Sequence, residues 1–262
     1  MERTPISIVS GVMSYQTIIY QKESDLGRIT LNRPQAMNAI TPDMLKELKD
    51  AVLEAGNDKD VKVIVITGAG KAFCAGVDLK SLGDRKLVNG RVGDILDLPG
   101  QELIKAIRTV PKVVIALVNG FCFTGALELM LWCDLAIAAE EAKIGDTHAK
   151  WGIRPSWGRS ARLPHRVGYL KAKELSFTAD FITGKEAERI GLVNLAVPAA
   201  KLNEALVTMV KKITANSSQV VAAYKYIYNT NENMTPEKCF EFELKSDFEI
   251  TDTDERLGQF RK

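Results

Sequence analysis

The amino-acid sequence predicts an α/β protein with a helical C-terminal region. Three short runs rich in apolar and β-branched residues, 61–67, 113–118 and 135–139, have the length and composition of strands buried on both faces. A helical segment, 125–132, separates the last two runs, so we expect right-handed crossovers between parallel strands. We place an α/β body over residues 1–198 and a helical region over residues 199–262.

The first elements are predicted from local signals. Residues 17–21 and 27–31 alternate as short strands around a polar turn, which is typical of a hairpin. Thr41 followed by Pro42 is a helix start, with Thr41 as the N-cap and Pro42 at the first helical position. Beyond residue 164 the pattern favours helices with short breaks, which we place at 170–177, 184–190, 202–213, 220–228 and 236–249.

Composition excludes several classes of protein. The 262 residues carry a formal net charge of +2 without a basic tail or stripe, which argues against nucleic-acid binding. The apolar stretch 113–139 is interrupted by Glu128 and Asp134, so it reads as core elements rather than a membrane span. The four cysteines lack CxxC spacing, and the N-terminus lacks the apolar core of a signal peptide. We therefore expect a cytoplasmic protein with reduced thiols.

Two segments are candidates for chemistry. The first, KAFCAGVDLK at 71–80, leaves a buried strand and turns at Gly76, where backbone N–H groups can face outward and hold an oxyanion. The second, NGFCFTGALELMLWCD at 119–134, opens a helix at Gly125, whose unpaired N–H and partial positive charge also suit an anion. A Gly-Ala turn after a strand is also common without any function.

Glu128 lies one turn into that second helix among apolar neighbours. Burial would raise the pKa of this carboxyl group towards neutrality, where it can transfer protons. The alternative is a buried salt bridge to one of the arginines between Arg154 and Arg166. Both interpretations stay open on these residues alone.

Taken together, these segments resemble the enoyl-CoA hydratase/isomerase (crotonase) superfamily. LGRITLNRPQAMNAITPDML near the start, AKIGDTHAKWGIRPSWGRSARLPHRVG in the middle and FITGKEAERIGLVNLAVP later match that family in order and spacing. The resemblance covers roughly residues 18–198 well and the C-terminal helices loosely. It implies a crotonase-like spiral of repeated β-β-α units that binds an acyl thioester of coenzyme A and stabilises its enolate.

The resemblance also implies site residues. The oxyanion hole falls on the backbone N–H groups of Val77 and Gly125. Contacts to coenzyme A and substrate fall on Ala36, Met37, Ala39, Ala75, Val77, Asp78, Leu79, Lys80 and Gly125. At the C-terminus the family's Phe and Lys contacts have only approximate counterparts, Phe260 and Lys262. The family needs no metal and no bound cofactor, since coenzyme A arrives as part of the substrate.

The chain departs from the family at the second acid/base. Hydratases of the family use two glutamates, and Glu128 matches the first, whereas His148 stands at the second with Asp146 two residues earlier. His148 can act as acid or base or be an ordinary loop histidine, and Asp146 is a further candidate or a turn residue. Trp157 and Arg159 are bulky additions near the acyl end; Trp157 either reshapes the pocket or packs on a helix, and packing is favoured for Arg159.

The predicted function is hydration of a 2-enoyl-CoA. An isomerase or another single-carboxylate reaction, such as thioester hydrolysis or decarboxylation, is the enzymatic alternative, and a non-catalytic acyl-CoA binder is a third. The resemblance implies a homotrimer or homohexamer assembled through the C-terminal helices. No nucleic-acid or membrane partner is expected.

Overall fold

The chain enters its main sheet through an antiparallel hairpin. The computed structural model describes residues 15–258, so Phe260 and Lys262 lie outside the described part. Strand β1 (Ile18–Glu23) pairs with β2 (Leu26–Leu31). Helix α1 (Pro42–Asn57) follows, and the Thr41 side chain accepts a hydrogen bond from the Met44 N–H at 3.2 Å. The predicted hairpin and helix start are therefore confirmed.

Two sheets form the body of the protein. The first has six strands in the order β1-β2-β3-β5-β7-β10, and only β1 runs antiparallel to its neighbour. The second has four strands in the order β4-β6-β8-β9. The strands not yet given are β3 (Val63–Gly68), β4 (Ala72–Cys74), β5 (Val113–Val118), β6 (Phe121–Phe123), β7 (Leu135–Ala139), β8 (Lys143–Gly145), β9 (Phe181–Thr183) and β10 (Leu195–Val197).

Helices alternate with strand pairs along the chain. They are α2 (Asp94–Thr109), α3 (Gly125–Trp132), α4 (Arg159–Thr178) and α5 (Gly184–Arg189). The successive units β3-β4-α2, β5-β6-α3 and β7-β8-α4 each give one strand to each sheet. This arrangement confirms the predicted spiral of β-β-α units. It also places the ends of β4 and β6 side by side, because these two strands are neighbours in the second sheet.

Within the described residues, four helices follow the body, and the first two of them pack back onto it. They are α6 (Leu202–Thr214), α7 (Ser218–Asn231), α8 (Pro236–Lys245) and α9 (Thr253–Gly258). Helix α6 buries Leu202, Leu206 and Val210 against one face of the six-stranded sheet. In α7 the buried ammonium group of Lys225 contacts Asp134 Oδ2 at 2.8 Å, which ties that helix to the start of β7.

Some predicted elements differ from the structure. The predicted helix 170–177 is part of α4, which begins at Arg159 and bends at Gly168, where φ is +75°. Helix α2 and the three-residue strands were not predicted. The apolar stretch 113–139 is divided among β5, β6, α3 and β7, as expected of core elements. Within residues 15–258, no helix combines the length and apolar character required to cross a bilayer.

Candidate active site

The loops that follow β4 and β6 meet at Gly76 and Thr124. Gly76 has a φ of +92°, and a Cβ atom placed on it would lie 1.9 Å from Thr124 Oγ1. A side chain at this position would therefore force the two loops apart. Thr124 itself has a positive φ of 48°, an uncommon backbone conformation for a residue with a side chain. The close contact depends on a glycine in one loop and on a strained residue in the other.

This contact brings the two predicted oxyanion donors together. A Cβ atom placed on Gly125 would lie 3.5 Å from Val77 Cγ2, so the two residues are neighbours across the loops. Within residues 15–258, neither the Val77 N–H nor the Gly125 N–H donates a hydrogen bond to another residue. Gly125 is also the first residue of α3, where the helix carries a partial positive charge. Two unused N–H donors are thus available for an anionic oxygen.

The segment carrying Ala36, Met37 and Ala39 pairs with the segment carrying Ala75 to Asp78. The N–H of Ala75 donates to Met37 O at 3.0 Å, and the N–H groups of Ile40 and Asp78 complete the pairing across the two segments. The buried Asn38 side chain fixes this segment, because its amide donates to the carbonyl groups of Ala69 and Ala72. The structure therefore brings together most of the positions predicted to contact coenzyme A.

Asp78 and Lys80 differ in what they offer to a ligand. The Asp78 carboxylate contacts Arg33 Nη2 at 2.9 Å and accepts a hydrogen bond from the Lys80 N–H at 3.1 Å. Its oxygens are thus already partnered. The Lys80 side chain is exposed, and Leu79 beside it is 42% exposed. Among the residues that the structure describes, 15–258, Lys80 has no ion-pair partner, so it offers a free cation next to an exposed apolar side chain.

Glu128 is buried, and the backbone of residues 15–258 holds only one of its carboxylate oxygens. Oε1 accepts hydrogen bonds from the N–H of Trp157 at 3.0 Å and from the N–H of Arg159 at 3.4 Å. Burial raises the pKa of the Glu128 carboxyl group, while the charge of His148 and these two N–H donors oppose the rise. In the described part of the chain Glu128 forms no ion pair with an arginine, so the alternative of a closed Glu–Arg salt bridge is wrong.

His148 bridges Glu128 and Asp146. Its Nε2 atom lies 3.6 Å from Glu128 Oε2, and its Nδ1 atom lies 2.6 Å from Asp146 Oδ1. Because an ionised carboxylate only accepts hydrogen bonds, the Nδ1 atom carries a proton and Nε2 faces Glu128. The two side chains that the sequence left open therefore lie in line with Glu128, with a hydrogen bond between Asp146 and His148 and a 3.6 Å contact between His148 and Glu128.

Arg159 completes this chain of charges behind the histidine. Its Nη1 atom lies 2.9 Å from Asp146 Oδ2 and 2.6 Å from Ser176 Oγ. Burial raises the pKa of the Asp146 carboxyl group, but the hydrogen bond to His148 and the charge of Arg159 outweigh it, and the pKa lies below its ordinary value. Asp146 is therefore ionised near neutral pH. Arg159 was expected to pack on a helix, and its pairing with Asp146 was not predicted.

A cavity of about 180 Å³ lies beside these groups. Asp146 does not line it but lies behind His148, and the other predicted residues outside the lining are Ala36, Met37, Ala39, Asp78, Lys80 and Gly125. The sequence did not single out several lining residues, such as Thr124, Thr147 and Ser156; their small polar side chains carry no motif of their own. The predicted residues that line the cavity are Ala75, Val77, Leu79, Glu128, His148 and Trp157.

The spiral of β-β-α units and a cavity lined by Val77 and the buried Glu128, with Gly125 beside Val77, define a class of α/β protein suited to stabilising an anionic oxygen. Comparison with known proteins gives the family. The family profile described as enoyl-CoA hydratase/isomerase matches residues 21–259. The chain belongs to the enoyl-CoA hydratase/isomerase family.

Individual relatives support the same assignment. The chain is 43% identical over 202 residues to a crotonyl-CoA hydratase of Syntrophomonas wolfei, a match that covers 77% of this chain and 75% of that protein. It is 34% identical over 245 residues to a short-chain-enoyl-CoA hydratase of Clostridium acetobutylicum, which covers 93% of each. The crystal structure of an enoyl-CoA hydratase from Bacillus anthracis superposes with a TM-score of 0.81 at 30% identity, covering 88% of this chain and 89% of that one.

Proposed function

We propose that this protein adds water to a 2-enoyl-CoA and releases a 3-hydroxyacyl-CoA. Two hydratases named above share 34% and 43% of their aligned residues with the chain, and the cavity carries two groups that can exchange protons. The observation on which the proposal rests is the 3.6 Å approach of His148 Nε2 to Glu128 Oε2. Hydration needs one group to take a proton from water and one to protonate carbon, and this pair supplies both.

The thioester oxygen would be bound by the N–H groups of Val77 and Gly125. As water adds to the β-carbon, the electron pair of the double bond moves to the thioester, and negative charge develops on its oxygen. Two fixed donors stabilise that charge, and removing one donor from such a pair typically slows a reaction by about 10² to 10³. We assign the coenzyme A contacts to Ala36, Met37 and Ala39 and to the paired segment from Ala75 to Lys80.

The protons would pass through Glu128 and His148. Glu128 accepts a proton from the attacking water at Oε2, the oxygen that receives no backbone hydrogen bond within the described chain. The protonated His148 donates from Nε2 to the α-carbon, which yields the 3-hydroxyacyl thioester. The proton on Glu128 then returns to His148 across the 3.6 Å contact, so one water molecule is consumed and both groups are restored. Asp146 is a positioning residue that orients His148 through the contact at Nδ1.

A direct assay tests the reaction. Purified protein mixed with crotonyl-CoA should show loss of the absorbance of the conjugated thioester and formation of 3-hydroxybutyryl-CoA. In H₂¹⁸O the new hydroxyl group should carry ¹⁸O. A product that is a shifted double bond, free coenzyme A or a decarboxylated thioester would replace this proposal by one of the other reactions open to a thioester enolate. Binding without turnover would support a non-catalytic acyl-CoA binder.

The C-terminal helices suggest an assembly. We propose a homotrimer, or a homohexamer built from two trimers, with residues 199–262 as the assembling region. Support comes from large apolar side chains that α7 and α8 leave exposed, including Tyr228, Phe240 and Leu244. Light scattering that reports a monomer at micromolar concentration would contradict this assignment.

Three buried, unpaired cysteines, Cys74, Cys122 and Cys133, fit a reducing compartment, and we place the protein in the cytoplasm.

A further inference from the structure

We propose that the indole ring of Trp157 closes the acyl end of the catalytic cavity and restricts the enzyme to short acyl chains. This inference rests on the proposed hydratase function. Two cavities meet at Trp157. One is the catalytic cavity of about 180 Å³, and the other is a larger cavity of about 610 Å³ lined by residues of α2, α3 and α7. Ser156 and Trp157 line both, so they form the wall between them.

The ring lies between two glycines that leave room for it. A Cβ atom on Gly125 would lie 3.1 Å from Trp157 Cζ3, and a Cβ atom on Gly100 of α2 would lie 2.6 Å from Trp157 Cε2. One edge of the ring therefore faces the oxyanion donor, and the opposite edge faces α2. Trp157 is only 4% exposed, so the ring fills the space between the catalytic cavity and the helix.

The backbone of Trp157 is fixed on both sides of the side chain. Its N–H donates to Glu128 Oε1 at 3.0 Å, and its carbonyl oxygen accepts from Trp132 Nε1 at 2.5 Å. The guanidinium groups of Arg108 and Arg162 lie 5.2 and 4.7 Å from the centre of the Trp132 ring and hold that ring in place. The wall is thus tied to the Glu128 carboxylate itself.

The size of the catalytic cavity limits the length of the acyl chain that it can hold. Sites that enclose a drug-sized ligand usually measure about 300 to 1,000 Å³, so a cavity of about 180 Å³ holds a thioester group and a short acyl chain. The second cavity falls within that range, and Ile104, Trp132 and Tyr226 give it an apolar lining. Removing the indole ring would join the two cavities and create room for a long acyl tail.

The test compares kcat/KM for 2-enoyl-CoA substrates of four and ten carbons. For the wild-type enzyme the four-carbon substrate should be favoured by at least about tenfold, and W157A should reduce that ratio by about tenfold or more. The ratio for W157F should lie between those of the wild type and W157A. Phenylalanine keeps an aromatic ring and removes an indole N–H that has no hydrogen-bond acceptor within residues 15–258, so it provides a result even if W157A does not fold. Both variants keep the backbone N–H that contacts Glu128.

A second substitution tests whether the acyl tail of the ten-carbon substrate enters the second cavity. Ile104→Asn adds a polar group to the second cavity. In the W157A background it should cancel the gain for the ten-carbon substrate, whereas in the wild-type background it should leave the ratio unchanged.

Two results would overturn the inference: equal wild-type rates at both chain lengths, or an unchanged ratio in folded W157A and W157F. An unchanged ratio that comes from equal losses at both chain lengths would make Trp157 a positioning residue for Glu128. Protein that hydrates no enoyl-CoA of any length would instead contradict the proposed function.

Discussion

His148 Nε2 lies 3.6 Å from Glu128 Oε2, while Nδ1 of the same ring lies 2.6 Å from Asp146 Oδ1. The ring thus connects a carboxyl group whose pKa is raised by burial to one whose pKa is lowered by its partners. Environments that separate two carboxyl groups in this way are common where acid and base roles are divided. Here the more readily protonated carboxyl group lines the cavity, and the ionised one lies behind the histidine.

Glu128→Gln should abolish most hydration without unfolding the protein. The amide oxygen of glutamine can still accept the N–H groups of Trp157 and Arg159, but the side chain cannot take a proton from water. We expect kcat for crotonyl-CoA to fall by about 10² to 10⁴, with similar binding of the product. Kinetics and calorimetry on the same preparation measure both quantities. Retention of wild-type kcat would exclude Glu128 as the base.

The same substitution should change how stability depends on pH. The pKa of Glu128 lies above its ordinary value of 4.5 in the folded protein, so above pH 4.5 the folded state binds more protons at this site than the unfolded state. The wild-type free energy of unfolding therefore falls as pH rises through this range, and Glu128→Gln removes that loss. Urea denaturation at a series of pH values should show that the free energy of unfolding of the variant rises relative to that of the wild type as pH increases. A constant difference would contradict the raised pKa.

His148 and Asp146 should differ in how they affect the kinetics. His148→Gln removes the group that protonates carbon, so kcat should fall by about 10² or more. Asp146→Ala leaves the imidazole in place but removes the oxygen that orients Nδ1. Its kcat should fall by a smaller factor, about tenfold or more, with KM nearly unchanged. A larger loss for Asp146→Ala than for His148→Gln would mean that His148 is not the proton donor.

The sequence predicted the main sheet and α3 well because strong local signals mark them. β5 and β7 are runs of apolar residues at strand length, and α3 begins at a glycine after such a strand. Helix α2 was missed because Pro99 and Gly100 interrupt its helical pattern. Gly100 is needed there for a tertiary reason, since its missing side chain makes room for Trp157. The three-residue strands were missed because so short a segment carries no measurable period.

The sequence predicted only those site residues that lie in recognisable motifs. Val77, Gly125 and Glu128 follow from two segments that resemble a known family. The contact between Asp146 and Arg159 joins residues of a loop and a helix, and no spacing rule predicts it. Arg159 was expected to pack on a helix, whereas the fold directs its guanidinium group onto a buried carboxylate.

Arg159→Met should destabilise the folded protein. The substitution leaves Asp146 buried with His148 as its remaining charged neighbour, and removing one partner of a buried ion pair costs about 3 kcal/mol or more. The loss should shrink only as pH falls through the pKa of Asp146 in the folded wild type, which lies below the ordinary Asp value of 3.8, because Asp146 is protonated in both proteins beneath that point. Arg189→Met is the matched control, because Arg189 pairs with Glu186 on the surface. If both variants unfold at the same urea concentration, the Arg159–Asp146 pair does not stabilise the site.

Gly76→Ala should separate the two oxyanion donors. The new Cβ atom would lie 1.9 Å from Thr124 Oγ1, so the loop carrying Val77 must move away from the loop carrying Gly125. Loss of one donor from the thioester oxygen should lower kcat by about 10² or more. Gly168→Ala is the control, since Gly168 also has a positive φ, +75°, but its added Cβ atom would meet nothing within 4 Å. Both variants should lose stability through backbone strain, and only Gly76→Ala should lose catalysis when measured well below its unfolding temperature. Equal kcat values for the two variants would show that the Val77 and Gly125 N–H groups do not act as a pair.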